Sequence, residues 1–242
     1  MSHRFEPLKK EPAYVKVYNA VEADILSGRL SEGSVLPTEA QLCEQFAITR
    51  ATVREGLRLL ERSDLVQRGA AKRFYVKRPD TVDIATMTSK SLALGGVTFK
   101  EVWEALSTMY PDATRIAAKR FSAQDLKILR DAHSHFKAEK NLPSDEIVEH
   151  AVEFFQLIAC AVDNRVMQSL LQALNMLIGA SLNQVISKTP KARARIVSAQ
   201  AKIIDALEAR DEDEAARWIA KHIDDLKRGY TVAKVELEKP VL

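Results

Sequence analysis

Apolar residues recur every three or four positions along most of the chain, and that spacing is typical of amphipathic helices. The first such stretch covers residues 13–27 and contains Tyr14, Tyr18, Val21 and Ile25. Gly28 follows it directly, and glycine is a common residue just beyond a helix end. We therefore predict a helix over residues 13–27, followed by a turn.

Two cap signals predict a pair of short helices close behind the first. Thr38, with Gln41 three residues later, has the spacing of a capping box and starts a helix of barely two turns. Thr49 can cap the next helix, which runs to about residue 62. The inward stripe of that helix consists of Val53, Leu57 and Leu60, and its opposite side carries Arg50, Arg54 and Arg58.

The periodicity changes beyond this helix. Residues 65–68 and 74–76 are short runs rich in β-forming side chains, and Gly69 opens the basic segment between them, so we predict a hairpin. Three helices followed by a hairpin make a winged helix-turn-helix. In that arrangement the second helix of the tight pair fits the major groove of DNA and presents its first side chains to base edges.

The rest of the chain is predicted to be helical, and the fold class is mainly α. Cap signals and apolar stripes indicate six helices, over residues 98–120, 123–138, 144–162, 164–187, 191–209 and 212–234. Residues 79–97 show weaker periodicity and contain Gly95 and Gly96, so we place the interdomain connection there, with a short helix inside it. The predicted organisation is an arm (1–12), a winged helix-turn-helix of three helices and a small hairpin (13–78), a linker (79–97), an all-α bundle of six or seven helices (98–236) and a tail (237–242).

Composition narrows the class of protein. The 242 residues are 46% hydrophobic and 29% charged, which excludes disordered and fibrous chains. No apolar run reaches the length of about 18 residues that suggests a membrane span, and the first residues lack a signal peptide's apolar stretch, so we expect a cytoplasmic protein. Cys43 and Cys160 lie in apolar helical patterns, and we expect both in the core without a disulfide.

Positive charge is concentrated in one part of the chain. The net charge is only +3, but residues 50–78 carry nine basic and three acidic side chains. Such a surplus can displace counterions from a phosphate backbone, and it can also be an ordinary solvated face. Charge alone leaves both interpretations open.

One stretch closely resembles the DNA-binding segment of the GntR family of bacterial regulators. It consists of Leu36-Pro37-Thr38-Glu39 and, ten residues on, the run Thr49-Arg50-Ala51-Thr52-Val53-Arg54-Glu55-Gly56-Leu57. The helical remainder is similar to the FadR-type subgroup, whose effector-binding FCD domain is a bundle of six or seven helices. That looser part of the resemblance depends on Phe154, Asn164, Asp211 and His222.

The resemblance implies a set of DNA contacts. It makes Arg50 and Arg54 side chains that enter the groove, where an arginine can donate two hydrogen bonds to guanine. It places Thr49 near a phosphate and the wing at Gly69 against the minor groove. Further candidates, each of which can also be an ordinary surface residue, are Thr38, Thr52, Arg58, Lys72 and Arg73. Ala40 stands where many relatives carry arginine, so operator preference should differ.

The resemblance also implies a ligand site in the bundle, but its metal ligands are missing. Many FadR-type relatives hold a divalent metal through an aspartate, a histidine four residues later and two further histidines. The corresponding positions here are Ala151, Phe155, Gln200 and His222, and one histidine cannot hold the metal. We therefore expect no metal and no cofactor. His133 and His135 face different sides of a helix, and we expect both to be exposed.

Two more positions make the implied cavity apolar. Leu106 stands where relatives often carry an arginine that pairs with an effector carboxylate, and Tyr110 stands where they often carry glutamate. With Ala151, Phe155, Gln200 and His222, these residues suit a mostly hydrophobic effector such as an acyl chain, an acyl-CoA or an aromatic or steroid-like compound. The alternative is that the cavity has collapsed into core.

The sequence thus predicts a ligand-responsive transcription regulator that binds double-stranded operator DNA as a homodimer. One alternative is the same regulator with a metal-dependent carboxylate effector, and another is a helical adaptor that does not bind DNA. The sequence offers no nucleophile elbow, phosphate loop or histidine–cysteine arrangement at useful spacing, so we expect no enzymatic activity. Ligand binding would favour one arrangement of the winged domains and change operator affinity by about 1–3 kcal/mol.

Overall fold

The structure is a computed structural model that describes residues 11–69, 73–189 and 191–242, apart from the side chain of residue 180. Contacts divide the chain into two units, the first ending at Asp80 and the second beginning at Thr81. The elements of the first unit are α1 Ala13–Leu26, α2 Glu39–Phe46, α3 Arg50–Arg62, β1 Val66–Arg68 and β2 Phe74–Val76. Those of the second unit are α4 Thr81–Leu94, α5 Phe99–Arg120, α6 Ala123–Ala138, α7 Ser144–Ala161, α8 Arg165–Ser187, α9 Ala192–Glu208 and α10 Glu212–Ala233.

The predicted fold class is confirmed. Each helix and strand predicted by range is present with bounds that differ by no more than one residue at either end. Most helix starts carry the cap that the sequence signalled, because capping depends on residues only three positions apart. Thr98 with Glu101 and Ser122 with Asp125 form complete capping boxes at α5 and α6, and the Asp211 side chain accepts a hydrogen bond from the Glu214 amide at α10.

The first unit packs three helices and a hairpin around one small core. That core consists of Val21, Leu36, Leu42, Val53, Leu57, Leu60, Val66, Phe74 and Val76. β1 and β2 pair antiparallel, with Gln67 opposite Tyr75. The segment before α2 runs beside β2, where the Leu36 amide donates a hydrogen bond to the Phe74 carbonyl. Gly56 lets α3 approach α1 closely, since a Cβ there would lie 2.9 Å from the Val17 side chain. This contact fixes the face that α3 presents outward.

The second unit is an all-helical bundle in which α5 packs along α10 and α7 along α8. Its core is continuous and includes Trp103, Tyr110, Phe155 and Tyr230. The C-terminal residues return to the start of α5, where the Val241 amide donates to the Val97 carbonyl and the Phe99 amide donates to the Lys239 carbonyl. The bundle therefore closes on itself at residues 97–100.

Helix α4 occupies most of the segment that the sequence assigned to the interdomain connection. It is a 14-residue helix that packs along α8 within the second unit, and Ser89 Oγ lies 3.7 Å from Met176 Sδ across that contact. Its buried positions, Ala85 and Ser89, are small. Because small buried residues contribute little apolar contrast, the periodicity of α4 is weak in the sequence although the helix is complete.

Helix α8 is bent by 51° between Gly179 and Ser181. The Ser181 hydroxyl donates to the Ile178 carbonyl, and a glycine–serine step of this kind commonly kinks a helix. Among the residues that the structure describes, no single helix is long and apolar enough to cross a membrane. The two arms of α8, Arg165–Gly179 and Ser181–Ser187, have that length and apolarity only when taken together across the bend.

Two expectations about burial were wrong. Cys160 is exposed, because it lies on the outer side of α7 near the ends of Gln168 and Gln172 on α8. Cys43 is half-buried. His133 is buried, because Leu129 and Phe136 place its side of α6 against the bundle. His135, two residues on, is exposed as predicted.

Candidate functional site

The first candidate site is the turn between α2 and α3. The Thr38 side chain accepts from the Gln41 amide, and the Gln41 side chain accepts from the Thr38 amide at 2.9 Å, which completes the predicted capping box. Ala47 ends α2 in the left-handed region at φ 52°. Thr49 then caps α3 by accepting from the Thr52 amide. Three residues therefore separate two capped helices, and the start of α3 is fixed.

Helix α3 has one buried and one exposed face. Val53, Leu57 and Leu60 are almost completely buried. Arg50, Arg54 and Arg58 are exposed and succeed one another at intervals of four residues, which puts them in one row along the helix. The aliphatic stripe behind this row anchors the helix, so the arginines point away from the core of the unit.

The three arginines differ in their partners. Arg54 Nε donates to Glu39 Oε2 on α2 at 2.8 Å, and Arg58 lies 3.6 Å from Glu55 one turn before it. Within the described part of the chain, Arg50 makes no hydrogen bond or ion pair. The first arginine of the row is therefore unpaired, and the second is held across the turn by an acid.

The wing brings further basic groups to the first unit. The Gly69 amide donates to the Arg73 carbonyl at 2.9 Å, and both residues are exposed where the strands end. A Cβ on Gly69 would lie 2.3 Å from the Tyr75 ring, so a larger residue there would require that side chain to move. Lys72, also predicted to contact DNA, lies outside the described residues.

The second candidate site is the interior of the bundle, where all six residues predicted to bind effector are buried. Leu106, Tyr110 and Phe155 border one tightly packed interior gap, whose cavity volume is about 0 Å³. Asn175 Nδ2 donates to the Tyr110 hydroxyl at 2.7 Å, and that hydroxyl donates to the Phe155 carbonyl at 3.2 Å. Burial raises the pKa of Tyr110, so its hydroxyl stays protonated and can continue to donate.

His222 lies beside this gap with its ring stacked on Phe155. The ring centroids are 5.3 Å apart and the rings are nearly parallel, at 2°. The Nε2 atom of His222 is buried without a hydrogen-bond partner among the described residues. Burial lowers the pKa of His222 to about 4, so the imidazole is neutral at neutral pH.

Gln200 and Ala151 are the other two residues that were predicted to bind the effector. Gln200 Oε1 lies 3.3 Å from His133 Nδ1, and its Nε2 has no partner within the described chain. Ala151 is fully buried on α7, one turn before Phe155. The structure therefore gathers Leu106, Tyr110, Phe155 and His222 directly, whereas Gln200 borders a separate small gap with His133 and Phe154.

A surface groove leads from solvent to His222. It lies between α9 and α10, has a volume of about 340 Å³, and is bordered by Arg195, Trp218, Lys221 and His222 among others. The ammonium groups of Lys221 and Lys202 lie over the Trp218 ring, at 4.5 Å and 4.9 Å from its centroid. His222 is thus the residue shared by the outer groove and the interior cluster.

Among the described residues, metal-ligating side chains are not gathered in either unit. Over residues 11–69, 73–189 and 191–242, no three histidine, cysteine, aspartate or glutamate side chains are placed to hold one ion. At the positions that the resemblance assigns to metal ligands, Phe155 stacks on His222 and supplies no donor atom. The absence of a metal requirement stays a prediction, to be tested by elemental analysis.

Comparison with known proteins identifies both units. Residues 13–76 match the family model described as bacterial regulatory proteins of the gntR family, and residues 101–225 match the FCD domain. A winged helix-turn-helix with an exposed arginine row, joined to an FCD bundle, defines a ligand-responsive DNA-binding transcription regulator and not an enzyme. The chain belongs to the GntR family of bacterial regulatory proteins.

Named relatives agree with that assignment over nearly the whole chain. The Glc operon transcriptional activator of Escherichia coli is 24% identical over 95% of this chain and 92% of its own length. The HTH-type transcriptional repressor NanR of Klebsiella aerogenes is 28% identical over 92% of this chain and 86% of its own. Streptococcus agalactiae GntR shares the fold, with a TM-score of 0.64 and 19% identity over 89% of this chain and 99% of that one.

Two residues of these sites were missed in the sequence. Glu39 contacts Arg54, which is 15 positions away, and Asn175 contacts Tyr110, which is 65 positions away. Neither pair has a spacing that belongs to one helix or one hairpin. The acid directly after Thr38 was the only available signal, and it is equally typical of an ordinary first helical turn.

Proposed function

We propose that α3 reads an operator in the major groove through Arg50 and Arg54, and that the FCD bundle binds a largely apolar effector. The observation that supports DNA binding by α3 most strongly is the exposed row of arginines, which lies opposite the buried stripe of Val53, Leu57 and Leu60. An α-helix fits the major groove, and arginine donates two hydrogen bonds to guanine there. The protein would act in the cytoplasm, as a regulator of the FadR-type subgroup.

Residues around the row would hold the helix in register. Thr49 and Thr52 lie at the start of α3 with their hydroxyl oxygens 3.0 Å apart, and hydroxyl groups at a helix N-terminus suit a phosphate oxygen. Thr38 starts α2 in the same way, and Arg58 continues the row toward the backbone. Gly69 and Arg73 would carry the wing to the minor groove, and the same role is proposed for Lys72. These contacts fix position, whereas the two arginines select sequence.

The experiment that tests this reading is selection from a pool of randomised DNA duplexes by the purified full-length protein. We expect an enriched motif of two half-sites related by a twofold axis and spaced by about one helical turn, roughly 10 base pairs, or a multiple of it. The variant carrying both Arg50→Ala and Arg54→Ala should enrich no motif. Arg29→Ala is the matched control, because Arg29 is also exposed and paired, with Asp24, but lies between α1 and α2. Failure of the wild type to enrich any motif would contradict the proposal.

The homodimer is supported by an apolar seam on α4. Ile84, Met87, Ser91 and Leu94 are exposed and succeed one another at intervals of three or four residues. Met87 is 65% and Leu94 82% exposed, which is unusual for large apolar side chains. Ile84 and Ser91 are seven positions apart, as are Met87 and Leu94, which is the repeat of a coiled-coil seam. A second α4 presents the same pattern, so we propose that two copies pair here about a twofold axis.

The effector site is proposed at the cluster of Leu106, Tyr110, Phe155 and His222, with Ala151 and Gln200 at its edge. The lining is mostly apolar, and Asn175, Tyr110 and His222 supply the few polar atoms, which suits an acyl, aromatic or steroid-like ligand. Ligand sites usually measure roughly 300–1,000 Å³, whereas the cavity volume here is about 0 Å³, so the bundle must open when such a ligand enters. The groove between α9 and α10 gives a route that passes His222.

We propose that widening of the bundle couples effector binding to DNA binding. A ligand shifts an equilibrium only by the difference between its affinities for the two states, here the packed and the widened bundle. Because α4 follows the winged unit directly in the chain and packs on α8, movement of the bundle helices changes where the two winged units are held. A coupling free energy of about 1–3 kcal/mol is typical of such regulation.

A further inference from the structure

Glu39, the first residue of α2, reaches across the helix-turn-helix to the middle of α3. Its Oε2 atom accepts from Arg54 Nε at 2.8 Å, and 31% of its side chain is exposed against 59% for Arg54. The carboxylate is thus half-buried between the helices, while the guanidinium extends outward. Arg58 pairs with Glu55 on its own helix, and Arg50 has no acidic partner within the described chain.

The geometry leaves the outer edge of Arg54 available. A guanidinium carries five N–H donors in one plane, and the carboxylate occupies the one on Nε. The two terminal nitrogens remain, and they are the pair that can donate end-on to guanine O6 and N7. An arginine held at Nε cannot turn freely toward the phosphates on either side of the groove.

The charge of Glu39 has a second consequence. Phosphate binding depends on net positive charge and is independent of sequence, whereas base reading depends on the direction of the hydrogen bonds. A carboxylate 2.8 Å from Arg54 offsets its charge without blocking its terminal donors. The ion pair therefore weakens the attraction of Arg54 to phosphate and leaves its base contact intact.

We propose that Glu39 is a specificity-determining positioning residue that directs Arg54 to a base and away from the DNA backbone. The inference rests on the proposed function, in which Arg54 reads a base. An exposed ion pair of this kind adds little to the stability of the fold, so orientation and not stability is its expected contribution.

The test measures the ratio of dissociation constants for a scrambled duplex and for the motif duplex selected by the wild type, at one salt concentration. We expect Glu39→Ala to lower this ratio about tenfold, with much of the loss coming from tighter binding to the scrambled duplex. Glu39→Gln keeps an acceptor for Nε but removes the charge, and it should retain more of the ratio than Glu39→Ala. Glu44→Gln removes an exposed charge from the same helix and should leave the ratio unchanged, and circular dichroism checks that each variant folds.

A double-mutant cycle separates this inference from the function on which it rests. If Glu39 acts through Arg54, Glu39→Ala should have no further effect on the ratio in an Arg54→Ala background. If Arg54→Ala alone leaves the ratio unchanged, base reading by Arg54 is wrong, and the inference is overturned with it. If Arg54→Ala lowers the ratio and Glu39→Ala does not, Arg54 reads the base unaided and only the role of Glu39 is overturned.

Discussion

His222 makes this bundle sensitive to acid. Burial lowers its pKa to about 4, whereas a histidine in an unfolded chain titrates near 6.5. Between pH 6.5 and 4 the unfolded chain therefore binds a proton that the folded chain does not, so stability falls as the pH falls through that window. Burial also lowers the pKa of His133, which acts in the same direction.

We predict that His222→Phe reduces this acid sensitivity. Phenylalanine keeps a ring against Phe155 and removes both the titrating group and the unpartnered Nε2. The loss in unfolding free energy between pH 7.5 and pH 5, measured by urea denaturation, should be roughly 2 kcal/mol smaller than in the wild type. The exposed His135, changed to Gln, is the control and should behave as the wild type. Equal losses in His222→Phe and wild type would contradict a buried neutral imidazole.

Residue roles were predictable where they are local. The caps at Thr38, Thr49 and Asp211 were found because a cap and its partner lie three residues apart. The pairs Glu39 with Arg54 and Tyr110 with Asn175 were not found, because tertiary packing alone brings them together. His133 was wrongly predicted to be exposed, although the sequence contained a signal of its burial. Leu129 and Phe136 lie four residues before and three after it, which marks its side of the helix as inward.

At the scale of elements, helix α4 is the part that sequence periodicity described least well. Its inner face carries small residues and its outer face carries Ile84, Met87 and Leu94, so apolar side chains occur on both sides. A pattern of that kind weakens the contrast on which amphipathic periodicity depends. The bounds of the other helices that were predicted by range were right to within one residue.

We predict that Met87→Glu converts the dimer into monomers. Pairing across a twofold axis would bury two carboxylates without partners, at a cost of roughly 3 kcal/mol or more, which weakens dimerisation over about a hundredfold. Sedimentation velocity over a range of concentrations measures the change. Lys140→Glu is the control for the change of charge, since Lys140 is exposed and lies between α6 and α7. If the wild type is monomeric, or if Met87→Glu remains a dimer, the α4 interface is wrong.

At the scale of the whole molecule, DNA binding and ligand binding belong to two units with separate cores. The division was visible in the sequence as a change from helix-and-hairpin signals to uninterrupted helices. The apolar character of the interior was also predictable, because it follows from residue types at Leu106, Tyr110 and Phe155. The tight packing of the interior was not predictable, since the size of a gap depends on how side chains from several helices fit together.

We predict that an apolar ligand stabilises the full-length protein and that a small hydroxy acid does not. The probes are oleate, palmitoyl-CoA and a steroid, compared with lactate in the presence and absence of Zn²⁺, in a thermal-shift titration. Ligand at a hundred times its dissociation constant adds about 2.7 kcal/mol to unfolding, which is readily measured. Stabilisation by lactate with Zn²⁺ alone would favour the metal-dependent alternative, and no stabilisation by any apolar probe would favour a collapsed core.

The most direct measurement is of sequence discrimination by the two arginines at the start of α3. Competition binding at fixed salt compares the selected motif with a scrambled duplex for wild type, for the variant carrying Arg50→Ala and Arg54→Ala, and for Arg29→Ala. We predict that the double variant loses at least about thirtyfold in discrimination, at roughly 1–3 kcal/mol for each arginine, while Arg29→Ala retains it. A double variant that discriminates as well as the wild type would contradict reading of the operator by this helix.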